Sequence, residues 1–222
     1  MKTKKIYVIR HGETQFNKLG MVQGSGIDAE LDETGIRQAQ AFYDYYAHEG
    51  FSHIYTSQLK RAIQTVKPFV DSGIPTTQLQ GLNEICWGSR EGKKASAADD
   101  KRYYRMLRAW KEGDYYWKID GGESPLEVQQ RQKRAWQYIM SRDYEEKILV
   151  CTHGRALRVL ICTLLNLPLS KMDDFKHTNT SLYLFHYHYD SNHYDLILEN
   201  DTLHLADLEA ESHFEQKLLH HI

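Results

Sequence analysis

Apolar residues fall into two rhythms along the chain. Ile6-Tyr7-Val8-Ile9 and Ile148-Leu149-Val150 are short unbroken runs, the pattern of strands covered on both faces. Elsewhere the spacing changes to the three-to-four-residue period of helices. Ile36, Ala39, Gln40, Tyr43 and Tyr46 follow the helix start Asp32-Glu33-Thr34 and run toward Gly50. Ser52-His53-Ile54-Tyr55 reads as a short strand, and Ser57-Gln58-Leu59 opens a helix that carries Arg61 and stops around Pro68 or Gly73. Ser124-Pro125 starts a long helix reaching about Met140, a strand follows over Ile148 to Cys151, and Ala156 to Leu165 is helical. From Thr180 the pattern alternates as strands at Leu182 and Leu184, then Leu196 and Leu198, and a peripheral helix is expected beyond Ala206. Strands alternating with helices predict an α/β fold with three α/β/α layers and a mostly parallel central sheet.

One stretch breaks the rhythm. Between Glu84 and Gly121 the chain is charged and aromatic, with Tyr103, Tyr104, Trp110, Tyr115, Tyr116 and Trp117 among lysines and arginines. It reads as a helical lid of approximately 86–121 inserted in a single domain of 1–222. The plainer alternative is an amphipathic excursion that packs its aromatics on the domain.

Composition narrows the function. The 222 residues are 41% hydrophobic and 26% charged, with a formal charge of -2, so nucleic acid is a poor partner and any phosphate must be met by a local cluster. Cys86, Cys151 and Cys162 are odd in number and match no metal-ligand spacing, which suits a reducing compartment. The basic start Met1-Lys2-Thr3-Lys4-Lys5 precedes an apolar run too short for a signal peptide, and no stretch approaches the roughly 20 apolar residues of a membrane span. A soluble cytoplasmic protein without membrane contact is expected. His186-Tyr187-His188 puts two imidazoles on one strand face with His193 nearby, but no carboxylate or cysteine stands at ligand spacing, so a solvated face is preferred and no metal is assigned. Asn179-Thr180-Ser181 matches a glycosylation sequon that has no chemical consequence without a secretory signal.

Two apolar runs each end in a histidine, at Arg10-His11-Gly12 and at His153. Ligands of open α/β sheets gather outside the carboxyl ends of the strands, so both imidazoles can face one pocket. Gly20, Gly24 and Gly26 give the following loop freedom to approach a ligand closely. Singly, His11 or His153 could be a packed histidine, Arg10 and Arg61 surface ion-pair residues, and Glu84 a solvated carboxylate. Their joint placement at strand ends and a helix start favours a phosphate site.

In order along the chain stand Arg10-His11-Gly12-Glu13-Thr14 with Asn17, Gln23-Gly24, Thr56-Ser57-Gln58-Leu59-Lys60-Arg61-Ala62, Leu82-Asn83-Glu84 with Gly88 and Glu91-Gly92, Gly121-Gly122-Glu123-Ser124, and His153-Gly154. This series resembles the histidine phosphatase superfamily, the group that includes the cofactor-dependent phosphoglycerate mutases, over nearly the whole chain. The resemblance implies a phosphoglycerate mutase-like fold and a metal-independent phosphomonoester hydrolase acting on a small molecule, with no cofactor. It assigns the nucleophile to His11, which would form a phosphohistidine, and the role of proton donor and then base to Glu84. Arg10, Arg61 and His153 would surround the equatorial oxygens, Asn17 and the Gly154 N–H would add donors, and Gln23 and Gly24 would face the substrate. Apart from that resemblance, His177 and Asn179, next to the unused sequon, are expected to border the pocket. Phe16 stands where mutases usually have tryptophan, and Gln23-Gly24-Ser25-Gly26-Ile27-Asp28 resembles the phosphatase branch with one extra residue. The stretch from Trp87 to Gly121 also lacks the pattern of mutases, and a phosphatase is favoured over the alternative, a phosphoglycerate mutase, although the extra residue leaves the substrate-facing loop open. A silent phospho-ligand binding module is the non-enzyme alternative. The lid aromatics and lysines point to an anionic or ring-bearing leaving group. Oligomeric state is left open, a homodimer included.

Overall fold

Strand β1 (Thr3–Arg10) carries the first apolar run and lies inside the sheet, shielded on both faces. In the computed structural model, which describes residues 2–94, 97–208 and 210, β1 is flanked by β4 (Lys147–Thr152), parallel, and β5 (Leu182–His188), antiparallel. Beyond β4 come β2 (His53–Thr56) and β3 (Thr76–Gln78), both parallel, and beyond β5 comes antiparallel β6 (His193–Asp201). The order is β3-β2-β4-β1-β5-β6. The helices are α1 (Gln15–Lys18), α2 (Glu33–Tyr46), α3 (Lys60–Asp71), α4 (Ala97–Glu112), α5 (Pro125–Met140) and α6 (Gly154–Leu164).

The pleat sorts the runs into two cores. Ile6, Val8, Ile148, Val150 and Tyr55 point to the face covered by α5 and α6, while Tyr7, Ile9, Leu149, Cys151 and Ile54 point to the face covered by α2 and α3 with Phe42, Val66 and Phe69. A strand covered on both faces has no polar alternation, which is why these segments read as unbroken apolar runs. The charged exception on β1 is buried Lys4, whose Nζ donates to the carbonyls of Ile139 (3.3 Å) and Arg142 (2.7 Å) at the end of α5. A cation suits a helix C-terminus, although burial pushes its pKa down to about 8. Among the described residues, no helix is long and apolar enough to cross a membrane.

Several boundaries differ from the sequence reading. Helix α3 passes through Pro68 and ends before Gly73, whose φ is +95°. Its first N–H is met not by Ser57 but by the Asp28 carboxylate, 2.7 Å from Lys60 N. Helix α6 begins at Gly154 rather than Ala156, which makes His153 its N-cap. Strand β3 escaped notice because Thr76-Thr77-Gln78 is a polar edge. The carboxylate missing beside His186 and His188 comes from the neighbouring strand, where Asp195 Oδ2 lies 2.8 Å from His188 Nε2. The expected terminal helix falls beyond the described residues after its first turn.

The charged, aromatic stretch leaves and rejoins the domain at one place. Glu123 N–H donates to Cys86 O at 2.8 Å, Cys86 N–H to Glu123 Oε2 at 2.9 Å, and Ser89 N–H to Asp120 O at 3.1 Å. Gly88 makes the closure possible. Its φ is +54°, and a Cβ there would sit 2.2 Å from Asp120 O, so only glycine fits. Inside the excursion, buried Trp110 stacks on Trp87 with centroids 6.1 Å apart and donates Nε1–H to Trp117 O at 2.8 Å. Met106 and Ile119 join the same core. These aromatics are therefore committed to packing, while Tyr104 and Tyr116 are exposed.

Candidate active site

The parallel strands β1, β2 and β4 end side by side, and the residues that follow them, His11, Ser57 and His153, share one crevice. His11 Nδ1 lies 2.7 Å from Gly12 O. A carbonyl only accepts, so Nδ1 carries the proton and the lone pair is left on Nε2. The loop bearing His11 is pinned by close backbone packing: a Cβ on Gly35, in the first turn of α2, would meet Glu13 O at 2.1 Å. Gly12 N–H donates to Thr65 Oγ1 at 2.9 Å, and Thr65 Oγ1 donates to Arg61 O at 2.6 Å, tying the loop to α3.

Arg61 organises the opposite wall. Its Nε donates to His153 Nδ1 (3.1 Å), Nη1 to Ile27 O (2.6 Å) and Nη2 to Gly24 O (3.1 Å). With its amide oxygen toward the guanidinium, Gln23 accepts from Arg61 Nε and Nη1 at 3.0 Å and donates to Thr14 Oγ1 at 2.7 Å. Gln23 and Gly24 thus hold Arg61 directly. His153 accepts through Nδ1, so its Nε2 carries the proton and donates to Ser57 Oγ at 2.7 Å. The rings of His11 and His153 have centroids 5.0 Å apart. Arg10 Nη1 donates to His177 Nδ1 at 3.2 Å, while its buried Nε has no hydrogen-bond partner among the described residues. Asn17 Oδ1 accepts from Thr14 N (3.2 Å) and Asn179 Nδ2 (3.3 Å), leaving Nδ2 as the end open to a ligand.

Glu84 is buried and held by backbone. Oε1 accepts from Ile85 N and Ala156 N, both at 2.9 Å, and Oε2 from Arg155 N at 3.1 Å. Two of these donors belong to the first turn of α6, where orphan N–H groups and the helix dipole favour a carboxylate. Leu157 N–H goes to His153 O, which leaves the Gly154 N–H of this turn without a hydrogen-bond partner among the described residues. Arg131 fixes the segment before the acid, donating to the carbonyls of Gly81 (2.9 Å), Asn83 (2.8 Å) and Glu84 (3.0 Å) while pairing with Glu123.

Burial and mutual repulsion set the protonation states. Burial, then Arg61 and Arg10, hold His11 well below the ordinary 6.5, and burial with Arg61 does the same to His153. Burial and Arg10 bring His177 to about 3, and burial brings His204 to about 4. Burial also lowers Arg10 and Arg61 to about 10, still cationic at neutral pH, with Glu84 the leading charge that offsets it. In the unfolded chain these histidines bind protons near 6.5, whereas the native state refuses them. Stability is therefore flat in these groups above that value and falls as pH drops from 6.5 toward 3. A thermal midpoint measured from pH 8 to 4 is expected to hold and then fall steeply below about 6.5. A flat profile would contradict the buried neutral imidazoles.

Sequence reasoning missed Ser57, Thr65 and Arg131, whose partners His153, Gly12 and Glu84 lie far along the chain and leave no local signal. His177 and Asn179 do border the crevice, Asn179 Nδ2 donating to His11 O at 3.0 Å. Among the described residues, no group of three or more His, Cys, Asp or Glu side chains is placed to hold a metal ion.

Residues 6–201 match the description "Histidine phosphatase superfamily (branch 1)". Phosphoserine phosphatase 1 of Hydrogenobacter thermophilus is 29% identical over 211 residues, covering 94% of this chain and 98% of that protein. A probable phosphoglycerate mutase of Yersinia pestis is 32% identical over 167 residues, 74% of this chain and 76% of its own length. Among solved structures, phosphoserine phosphatase from Entamoeba histolytica in complex with 3-phosphoglyceric acid is similar with a TM-score of 0.77 at 26% identity, over 91% of this chain and 99% of that one.

Proposed function

Because the chain belongs to the histidine phosphatase superfamily, branch 1, we propose that it is a metal-independent phosphomonoester hydrolase working through a phosphohistidine on His11. The observation that carries this reading is a neutral imidazole whose Nδ1–H is locked on Gly12 O beside the buried Arg61 and the half-buried Arg10. A neutral Nε2 can attack phosphorus without first losing a proton, and fixed cations stabilise the charge that spreads over the equatorial oxygens.

In the first step the Nε2 lone pair forms the N–P bond, the bond to the leaving oxygen breaks, and Glu84 delivers a proton to that oxygen. A carboxyl group has about four lone-pair positions. Three are filled by backbone N–H groups, two on Oε1 and one on Oε2, so Oε2 keeps the place from which the proton is passed. In the second step Glu84 takes a proton from water, the new oxygen bonds to phosphorus, and the N–P electron pair returns to Nε2. Arg10 Nε, Asn17 Nδ2 and Gly154 N–H are the open donors for the phosphate. Arg61 acts with its one remaining N–H, on Nη2, and His153 Nε2–H must turn from Ser57 or share its proton with it. The excursion over 86–121 serves as the lid on the leaving group, with the Arg155 guanidinium beside the stacked pair of Trp87 and Trp110, 5.9 and 5.6 Å from their ring centroids. The three free cysteines are in keeping with a cytoplasmic setting.

Phosphate release from a panel of aryl and alkyl phosphomonoesters, measured with a chelator present, tests the reading. Chelator-resistant release is the expected outcome. Isomerised product without net release, seen only after priming by a bisphosphate, would instead assign a mutase, and tight binding without turnover a silent phospho-ligand module.

A further inference from the structure

Beyond β6, where the family match ends at residue 201, the chain makes a 3-10 turn over Leu203–Leu205. His204 in that turn is buried against α2, its ring edge-on to Phe42 with centroids 5.0 Å apart and near Tyr46 at 6.0 Å. His204 Nε2 lies 3.1 Å from Thr180 Oγ1. Thr180 is fully buried and has a φ of +55°, a left-handed backbone that a β-branched residue keeps only when its surroundings impose it.

That conformation has a use. It turns the Thr180 N–H onto the carbonyls of Arg10 (3.1 Å) and His11 (3.4 Å), where β1 hands the chain to the nucleophile. Asn179, carried on the same turn, donates to His11 O at 3.0 Å and reaches Asn17 Oδ1 at 3.3 Å. A continuous set of contacts therefore joins α2, His204, Thr180 and the His11 backbone. We propose that His204 is a positioning residue, which clamps Thr180 in its left-handed conformation and so fixes the backbone from which His11 is aimed. The proposal rests on the reading of His11 as nucleophile. Without the imidazole–hydroxyl contact, Thr180 relaxes toward negative φ, its N–H swings off both carbonyls, and His11 loses part of the alignment that in-line attack requires.

His204→Leu keeps an apolar side chain against Phe42 and Tyr46 but cannot bond Thr180, and Thr180→Val removes the hydroxyl at nearly constant shape. On an aryl phosphate, each is expected to lower kcat by about tenfold with KM little changed. The double variant should be no worse than either single one, because both break the same contact. His204→Gln, which can still bond Thr180, should recover most of the rate. Unchanged kcat in either single variant, multiplicative losses in the double variant, or a loss that Gln does not rescue and that tracks the thermal midpoint would overturn the clamp. Nitrogen-15 spectra of the imidazoles read the same geometry without turnover. A shifted His11 Nδ1–H signal in His204→Leu supports the clamp, and an unmoved signal sinks it. A wild type that releases no phosphate would count against the hydrolase reading while the spectra still decide on the clamp.

Discussion

His11→Ala is expected to abolish phosphomonoester hydrolysis, with kcat reduced by roughly 10⁴-fold or more. The loss should fall on kcat rather than KM, because the guanidinium groups of Arg10 and Arg61 do not depend on the imidazole for their positions: Arg61 is fixed by Ile27 O and Gly24 O, and Arg10 by His177. The folded state should survive, since the substitution removes one ring and one bond to Gly12 O. Single-turnover reactions quenched in alkali, where a phosphorylated imidazole persists, should trap a phosphoenzyme in the wild type and none in the variant. Hydrolysis retained at a comparable rate by His11→Ala would eliminate the covalent route.

The second large effect is expected from Glu84, and its size should depend on the leaving group. A general acid matters most when the departing oxygen is basic, so Glu84→Gln should lose on the order of 10²–10⁴-fold on alkyl phosphates and far less on a nitrophenyl phosphate. The amide also meets an unfavourable partner. With its oxygen at the Oε1 position accepting from Ile85 and Ala156, its NH2 faces the N–H of Arg155, two donors opposed at a cost of about 1–3 kcal/mol in stability. A thermal midpoint measured alongside the rates separates the two consequences. Equal losses on both substrate classes would remove Glu84 from proton transfer and leave it a structural cap on α6.

Much of the fold was legible because β1 and β4 are covered on both faces and so keep their apolar runs, and because Ser124 with Pro125 and Glu127 forms a capping box that marks the start of α5. What was not legible shares one cause, dependence on a distant partner. Thr76-Thr77-Gln78 becomes a strand only because β2 offers its edge. The N–H at the start of α3 is met by Asp28, and α6 starts two residues before Ala156 because Glu84 satisfies the N–H groups of Arg155 and Ala156. At the site, the residues of the Arg-His-Gly series could be picked out by their order. The hydrogen bonds that set their tautomers could not, nor could the arginine of α5 that steadies the acid. The lid reading met a packing constraint of the same kind: Trp110, one of the aromatics that point to a leaving group in the sequence, is core in three dimensions.

The paired exit and return at Cys86 and Glu123 separates two evolutionary problems. Loop-closure entropy grows only slowly with length, and here the ends are already closed by backbone hydrogen bonds and by Gly88 against Asp120. Length can therefore change at exposed positions between them such as Tyr116, whereas Met106, Trp110 and Ile119 are tied to the main core, and Arg131 keeps the neighbouring acid where it is. The span of the excursion and the position of Glu84 are thus set by separate contacts, so a change of length in the one need not move the other.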